Sequence, residues 1–329
     1  MNRCLITTAV ALMALSTVAT ARGLRCALVP KAMNNPFFDQ ARDGCYKAAS
    51  ELLDVECYYI GPAEHTEIEQ IQIVQDLISQ GVDGIAVSPS NAPAMGKALR
   101  RARAAGIAVI TWDSDLLESD KANRTTYVGT KNYDIGVNLA QLATKMKPRG
   151  GSVCLQTGGA SAANHNERLQ GIRDTLGGMS GTTSPGKALT GQKGWTEVDG
   201  CPLITDDDNA KAVQGLADIL NKYNDLDVCI STGGFTQWSN NAYRQAIAPH
   251  RGRMDQGELI FVAADTLPMQ MQQLRAGASH GQVGQRPFEM GYKAMYILKD
   301  IKAGKKVDDP INTGLDVCDQ SNASSCLAH

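Results

Sequence analysis

The chain has 329 residues, 34 acidic and 32 basic side chains, and a formal charge of −2. So mild a balance gives no electrostatic drive toward nucleic acid or an anionic membrane surface. The length allows two domains of ordinary size, and 9 cysteines raise the question of an oxidising compartment.

The first segment reads as an export signal. Arg3 supplies the basic start, an uncharged run follows from Cys4 to Thr20 with its apolar centre at Leu5–Leu15, and Ala19-Thr20-Ala21 is a small-x-small site. Cleavage after Ala21 is expected, leaving an exported protein whose charge moves from −2 to −3 with the loss of Arg3. The apolar centre is too short to span a ~30 Å hydrocarbon layer, and Cys4 precedes it, so neither a membrane span nor a lipid anchor is expected.

Short β-branched runs then alternate with amphipathic stretches. Strands are predicted at Leu24–Val29, Val55–Ile60, Gly84–Ser88 and Ile107–Trp112, with helices at Asn35–Leu53, Glu64–Ser79 and Ser90–Ala105. The pattern restarts with helix Asn132–Met146, strand Ser152–Gln156, helix Asn166–Leu176 and a strand near Ala188. After an irregular stretch, Gly191–Asp208, come helix Asn209–Lys222, strand Val228–Ser231, helix Gln237–Ala248 and strand Leu259–Ala263. Helix Leu267–Arg275, strand Gly281–Gly284 and helix Pro287–Lys302 close the series. Strand–helix alternation of this kind builds parallel sheets covered on both faces, here in two successive lobes. Lobes at 22–129 with 286–312, and at 130–285 with 313–329, follow the leader at 1–21.

Eight cysteines survive processing and form no CxxC or Cys/His metal spacing, so no metal and no cofactor are expected. Disulfides are the default in an exported chain. The expected pairs are Cys45–Cys57, joining a helix to the next strand, Cys318–Cys326 in the tail, and Cys154–Cys201. Cys26 and Cys229 lie in apolar strand patterns and are expected as buried thiols.

Ligands of open parallel sheets bind beyond the carboxyl ends of the strands, so the residues just after each strand carry the information. Strand one ends in Lys31, followed by Asn35 as N-cap, Pro36 at the first helical position, and Phe37 and Phe38 in the first turn. Aromatic rings there suit the apolar face of a sugar, and Lys31 suits its hydroxyls. Strand four ends in Trp112-Asp113, where a carboxylate can accept two ring hydroxyls. Trp112 is a lesser candidate.

The segments Asn34–Phe38, Ile107–Asp113, Ala160–Ile172, Val262–Asp265 and Gly281–Gln285 resemble, in order, those of periplasmic ribose-type sugar-binding proteins of ABC importers. The resemblance implies an α/β protein of the type I periplasmic binding fold: two Rossmann-like lobes with parallel sheets, joined by a three-segment hinge. It implies ligand contacts from Asn35, Phe37, Phe38, Asp113, Arg168, Asp265 and Gln285. Arg168, early in a helix, offers a planar fork for paired oxygens. The sequence departs from the ribose pattern at Ser114, where ribose binders carry Arg, and at Gly233-Gly234, where they carry Asn-Asp. Gly233 is expected to leave backbone amides and room for ligand. Asn164, Trp195 and Asp207 are further pocket candidates.

The Pro30-Lys31 and Thr111–Asp115 runs resemble the rhamnose and autoinducer-2 binding branch, so the ligand class widens to pentoses, hexoses, deoxysugars, polyols or a furanosyl signal. Hinge closure over that ligand by a monomer, followed by presentation to permease subunits in the periplasm, is the expected function, and a chemotaxis or sensor receptor is a further expected partner. An enzyme is the rival class. The GxGxxG and GxSxG patterns are missing, and His165 near Arg168 is the one residue that invites a general-base reading. A sugar-responsive repressor domain would share the fold, but the export signal argues against it.

Overall fold

The computed structural model describes residues 23–179 and 187–327, so the export-signal reading lies outside the described residues. Two sheets carry the fold. The first is wholly parallel, in the order Ile311–Asn312, Tyr127–Gly129, Ala108–Trp112, Gly84–Val87, Leu24–Val29, Val55–Tyr59. Its central strands, Gly84–Val87 and Ala108–Trp112, are short and wholly buried, as expected where helices cover both faces of a sheet.

The second sheet repeats the plan. Its parallel core runs Gly281–Gly284, Ile260–Ala264, Val228–Ser231, Gly151–Thr157, Trp195–Glu197. Antiparallel strands border it, Asp316–Asp319 on one side and Thr190–Gln192 on the other. The chain therefore crosses between sheets three times: after Gly129, after Gly284, and between Asn312 and Asp316.

Each lobe has a pair of helices crossing through glycine. In the first, Pro36–Leu52 meets Pro287–Lys302, and a Cβ on Gly291 would lie 1.8 Å from Ala41 O. In the second, Asn132–Met146 meets Ala163–Gly177, and a Cβ on Gly171 would lie 2.2 Å from Tyr133 O. No side chain fits at such a separation.

The cysteine pairs Cys45–Cys57, Cys154–Cys201 and Cys318–Cys326 are disulfides, and Cys26 and Cys229 are buried thiols. Three expectations are corrected. The stretch Gly191–Asp208 is not irregular: it holds most of the Thr190–Gln192/Trp195–Glu197 hairpin and the strand Leu203–Ile204, anchored by a bidentate Arg173–Glu197 pair at 2.7 Å. The strand near Ala188 starts at Thr190. The helix expected over Gln237–Ala248 is broken at Ser239 into Phe235–Trp238 and Asn240–Ile247, because Ser239 leaves helical ψ.

Candidate functional site

In both sheets the chain first turns outward and then returns to the other side of its first strand, so strand order reverses between Leu24–Val29 and Gly84–Val87 in one and between Gly151–Thr157 and Val228–Ser231 in the other. That reversal opens a crevice at the carboxyl ends. In the first lobe Lys31, Asn35 and Ser88 follow the strands at the crevice; in the second Gly158, Thr232 and Gly233 do. The two crevices face each other.

Lys31, Asn35, Phe37, Phe38 and Asp113 from the first lobe meet Asn164, Arg168, Asp207, Gly233, Asp265 and Gln285 from the second, around about 260 Å³ of empty space. The lobes are closed on one another. Lys31 Nζ donates across the gap to Asn164 Oδ1 at 2.8 Å, and Arg168 Nη2 lies 3.8 Å from Asp113 Oδ1. Asp113 Oδ2 accepts from Ser88 Oγ at 2.6 Å. On the second lobe Arg168 donates to Thr232 O at 2.8 Å and to Gln285 Oε1 at 2.9 Å. Gln285 in turn donates to Asp265 Oδ1 at 2.8 Å, while Asp265 Oδ2 accepts from the Gly234 amide at 3.1 Å.

Local backbone conformation aims these groups. Asn35 caps the helix at Pro36 by accepting from the Phe37 amide at 2.9 Å, which holds both rings at the cleft. Asp113, Asp207 and Asp265 have φ of 59°, 59° and 75°, a left-handed region that aspartate tolerates better than most residues. Each turns its carboxylate out of strand or loop direction and into the cleft. Such backbone conformations persist where surrounding contacts hold them, and cluster at binding sites.

Two candidates fall outside the cleft, and one plays a different part. Trp112 precedes the turn at Asp113 and, by strand alternation, points into the first-lobe core, edge-on to Phe38 with centroids 5.5 Å apart. Trp195 pairs with Gly151, at the far end of the strand from the cleft, and is buried in the second-lobe core. Gly233 lines the cleft but leaves no room: a Cβ there would lie 2.4 Å from the Phe235 ring, which fills that space.

Phe235, Trp238 and His165 complete the walls. Phe235 and Trp238 were not among the candidates, although Phe235 follows its strand in a first helical turn just as Phe37 does. His165 Nδ1 pairs with Thr232 Oγ1 at 2.9 Å and Nε2 lies 3.2 Å from Asp207 Oδ1. Asn132, also missed, sits at the first crossing and holds Arg168 and the Asp113 carbonyl together. Its signal was weak: an asparagine opening a helix looks like a cap.

Burial, and then the Lys31 cation, lower His165 to about 4, so the imidazole is neutral at neutral pH. Burial opposes ionisation of Asp207, yet His165 and Lys31 hold its carboxyl well below the usual range. Burial raises Asp265, against the pull of Arg168. Two cations among three carboxylates, with amides between, match hydroxyl groups, which both donate and accept. The rings offer stacking surface.

A family model described as periplasmic binding protein domain matches residues 26–306. The ribose import binding protein of Salmonella typhimurium is 22% identical over 312 residues, covering 93% of this chain and 95% of that protein. The D-allose-binding periplasmic protein of Escherichia coli is 26% identical over 286 residues, 85% of each. An ABC transporter solute-binding protein from Burkholderia graminis, solved in complex with D-arabinose, is 30% identical and covers 93% of this chain and 98% of its own, with a TM-score of 0.78. With two such lobes closed over a polar, ring-lined cleft, the chain belongs to the periplasmic binding protein family.

Proposed function

We propose that this chain is the solute-binding component of an ABC importer, and that its cleft takes one neutral monosaccharide-sized unit. The observation that carries the reading is the meeting of Asp113 and Arg168 from opposite lobes at 3.8 Å, beside the Lys31–Asn164 bond. A sugar reaching both half-sites favours the closed state by its contacts with each, and the arithmetic of closure asks for about 5 kcal/mol of differential affinity. A few charge-assisted hydrogen bonds of ~1.5–3 kcal/mol each supply it. The closed pair of lobes is then the surface a membrane permease reads.

The same proposal includes cleavage after Ala21 and residence in the periplasm. It divides the lobes at 22–129 with 286–312 and 130–285 with 313–329, which the strand membership of the two sheets supports. Relatives that bind ribose, allose and arabinose support a pentose or hexose. They support binding without turnover, and they leave His165 as a wall of the cleft. A thermal-shift screen of pentoses, hexoses, deoxysugars and polyols, followed by calorimetry, tests the reading: a ligand that binds the native state raises the melting temperature. The reading fails if no carbohydrate in the panel does so, or if Arg168→Ala binds the best ligand as tightly as the parent.

A further inference from the structure

Beside the sugar cleft lies a second, larger compartment. Asn35 and Asp207 line both, so the two adjoin, and the outer one has about 1040 Å³ of empty space where it meets solvent. It too is built from both lobes: Asn34, Glu64 and His65 on one side, Thr205, Asp208 and Ser239 on the other. It therefore exists in this form only when the lobes are closed.

We propose that this outer compartment binds a second, uncharged sugar unit, so that the full ligand is a disaccharide with one residue in the cleft and the other at its mouth. The proposal rests on the sugar-binding reading of the inner site. Three observations carry it. The walls offer hydroxyl, amide, imidazole and carboxylate groups with no Phe, Tyr or Trp among the described lining residues, which suits a hydroxylated substituent better than an aryl or acyl one.

His65 has a side chain only 7% exposed, and its Nε2 makes no hydrogen bond among the described residues. A buried polar atom of this kind calls for a partner, and a ligand hydroxyl provides one. Nε2 also stands 3.7 Å from Asp207 Oδ2, where the two compartments adjoin, so a ligand hydroxyl seated beside the pair meets a ring nitrogen and a carboxylate at once. Last, Glu64, Asp206, Asp207 and Asp208 make the mouth acidic, and Lys211 is already bonded to Asp206 at 2.6 Å. An anionic substituent, such as a phosphate or a uronate, is repelled.

Calorimetry on the full processed chain tests this, with the monosaccharides D-galactose, D-glucose, D-arabinose, D-ribose and D-allose against lactose, melibiose, maltose, cellobiose and arabinobiose. At least one disaccharide is expected to bind tenfold or more tightly than its component monosaccharides. Ala210 lines only the outer compartment, so Ala210→Trp is expected to abolish that tenfold gain while monosaccharide affinity stays within twofold, which also reports a native fold. His65→Ala is expected to lower disaccharide affinity severalfold. If monosaccharides bind and no disaccharide exceeds them, or if Ala210→Trp moves both classes equally or neither, the outer site is overturned and the inner reading stands. If no sugar of either class binds, the inner reading falls and this one with it.

Discussion

Asn132 and Arg168 share one oxygen: Nε and Nη2 of the guanidinium both donate to Asn132 Oδ1, at 2.9 and 2.7 Å. Asn132 stands where the chain first crosses between sheets, and its amide nitrogen donates to the Asp113 carbonyl at 3.2 Å. A residue in the crossing thus ties the second-lobe cation to the backbone of first-lobe Asp113. Its position makes it a positioning residue for the ligand groups.

Asn132→Ala is expected to lower sugar affinity roughly 10–100-fold, the equivalent of one hydrogen bond to a charged group at ~1.5–3 kcal/mol. Calorimetry with the best sugar reads this. Affinity within twofold of the parent would show that Arg168 is held without Asn132.

Gly171→Ala is expected to destabilise the second lobe by about 1–3 kcal/mol and to weaken binding, because its Cβ would press on Tyr133 O and displace the helix that carries Arg168. Gly252→Ala is the control, since nothing lies within 4 Å of its added Cβ. Urea midpoints should fall for the first and hold for the second. Equal midpoints would contradict the close helix crossing.

The pH dependence of stability follows from His165. Its folded value of about 4 is below the ordinary 6.5, so the unfolded chain binds the proton first as pH falls. The contribution is fully present above 6.5, is lost as pH drops toward about 4, and then levels off. The loss is on the order of 3 kcal/mol. Lys31, Arg168, Asp207, His65, Thr232 and Phe235 surround the ring or line the same junction. Asp265, raised by burial, works in the opposite sense, so the test is a difference. Melting curves of the parent and of His165→Gln should have different pH slopes between about 4 and 6.5, and parallel slopes would refute the assignment.

Each free thiol lies directly across its sheet from a disulfide-bonded cysteine: Cys26 opposite Cys57, and Cys229 opposite Cys154. Burial pushes both thiols up to about 12, which leaves almost no thiolate to attack the neighbouring bond. Native protein is expected to resist iodoacetamide. In denaturant without reductant, adducts should appear on Cys26 and Cys229 alone. Mass-mapped adducts on Cys57 or Cys154 would mean that exchange occurs.

Strand–helix alternation, the cap at Asn35 and the turn at Asp113 were legible because each rests on local chemistry: apolar periodicity, a side chain bonding its own backbone, a carboxylate at a strand end. The Cys45–Cys57 pair was legible for a related reason, since it joins a helix to the next strand of the alternation. Phe235 was missed because Gly233 read as empty space, and only the folded loop shows the ring lying back over it. Trp195 misled for the opposite reason. An aromatic residue in a long connection looks free, while its register against Gly151 sends it to the far end of the sheet.

By itself the sequence determined the two-lobed parallel architecture, the export-type cysteine usage, and the set of residues that end the strands. Tertiary structure alone decided which of those ends share a cleft, how Asn132 couples the lobes, and that a second compartment adjoins the first. Periodicity is set by neighbours a few residues away, and composition records it. The meeting of Asp113 with Arg168, or of His65 with Asp207, depends on the relative orientation of two sheets, which no local pattern encodes.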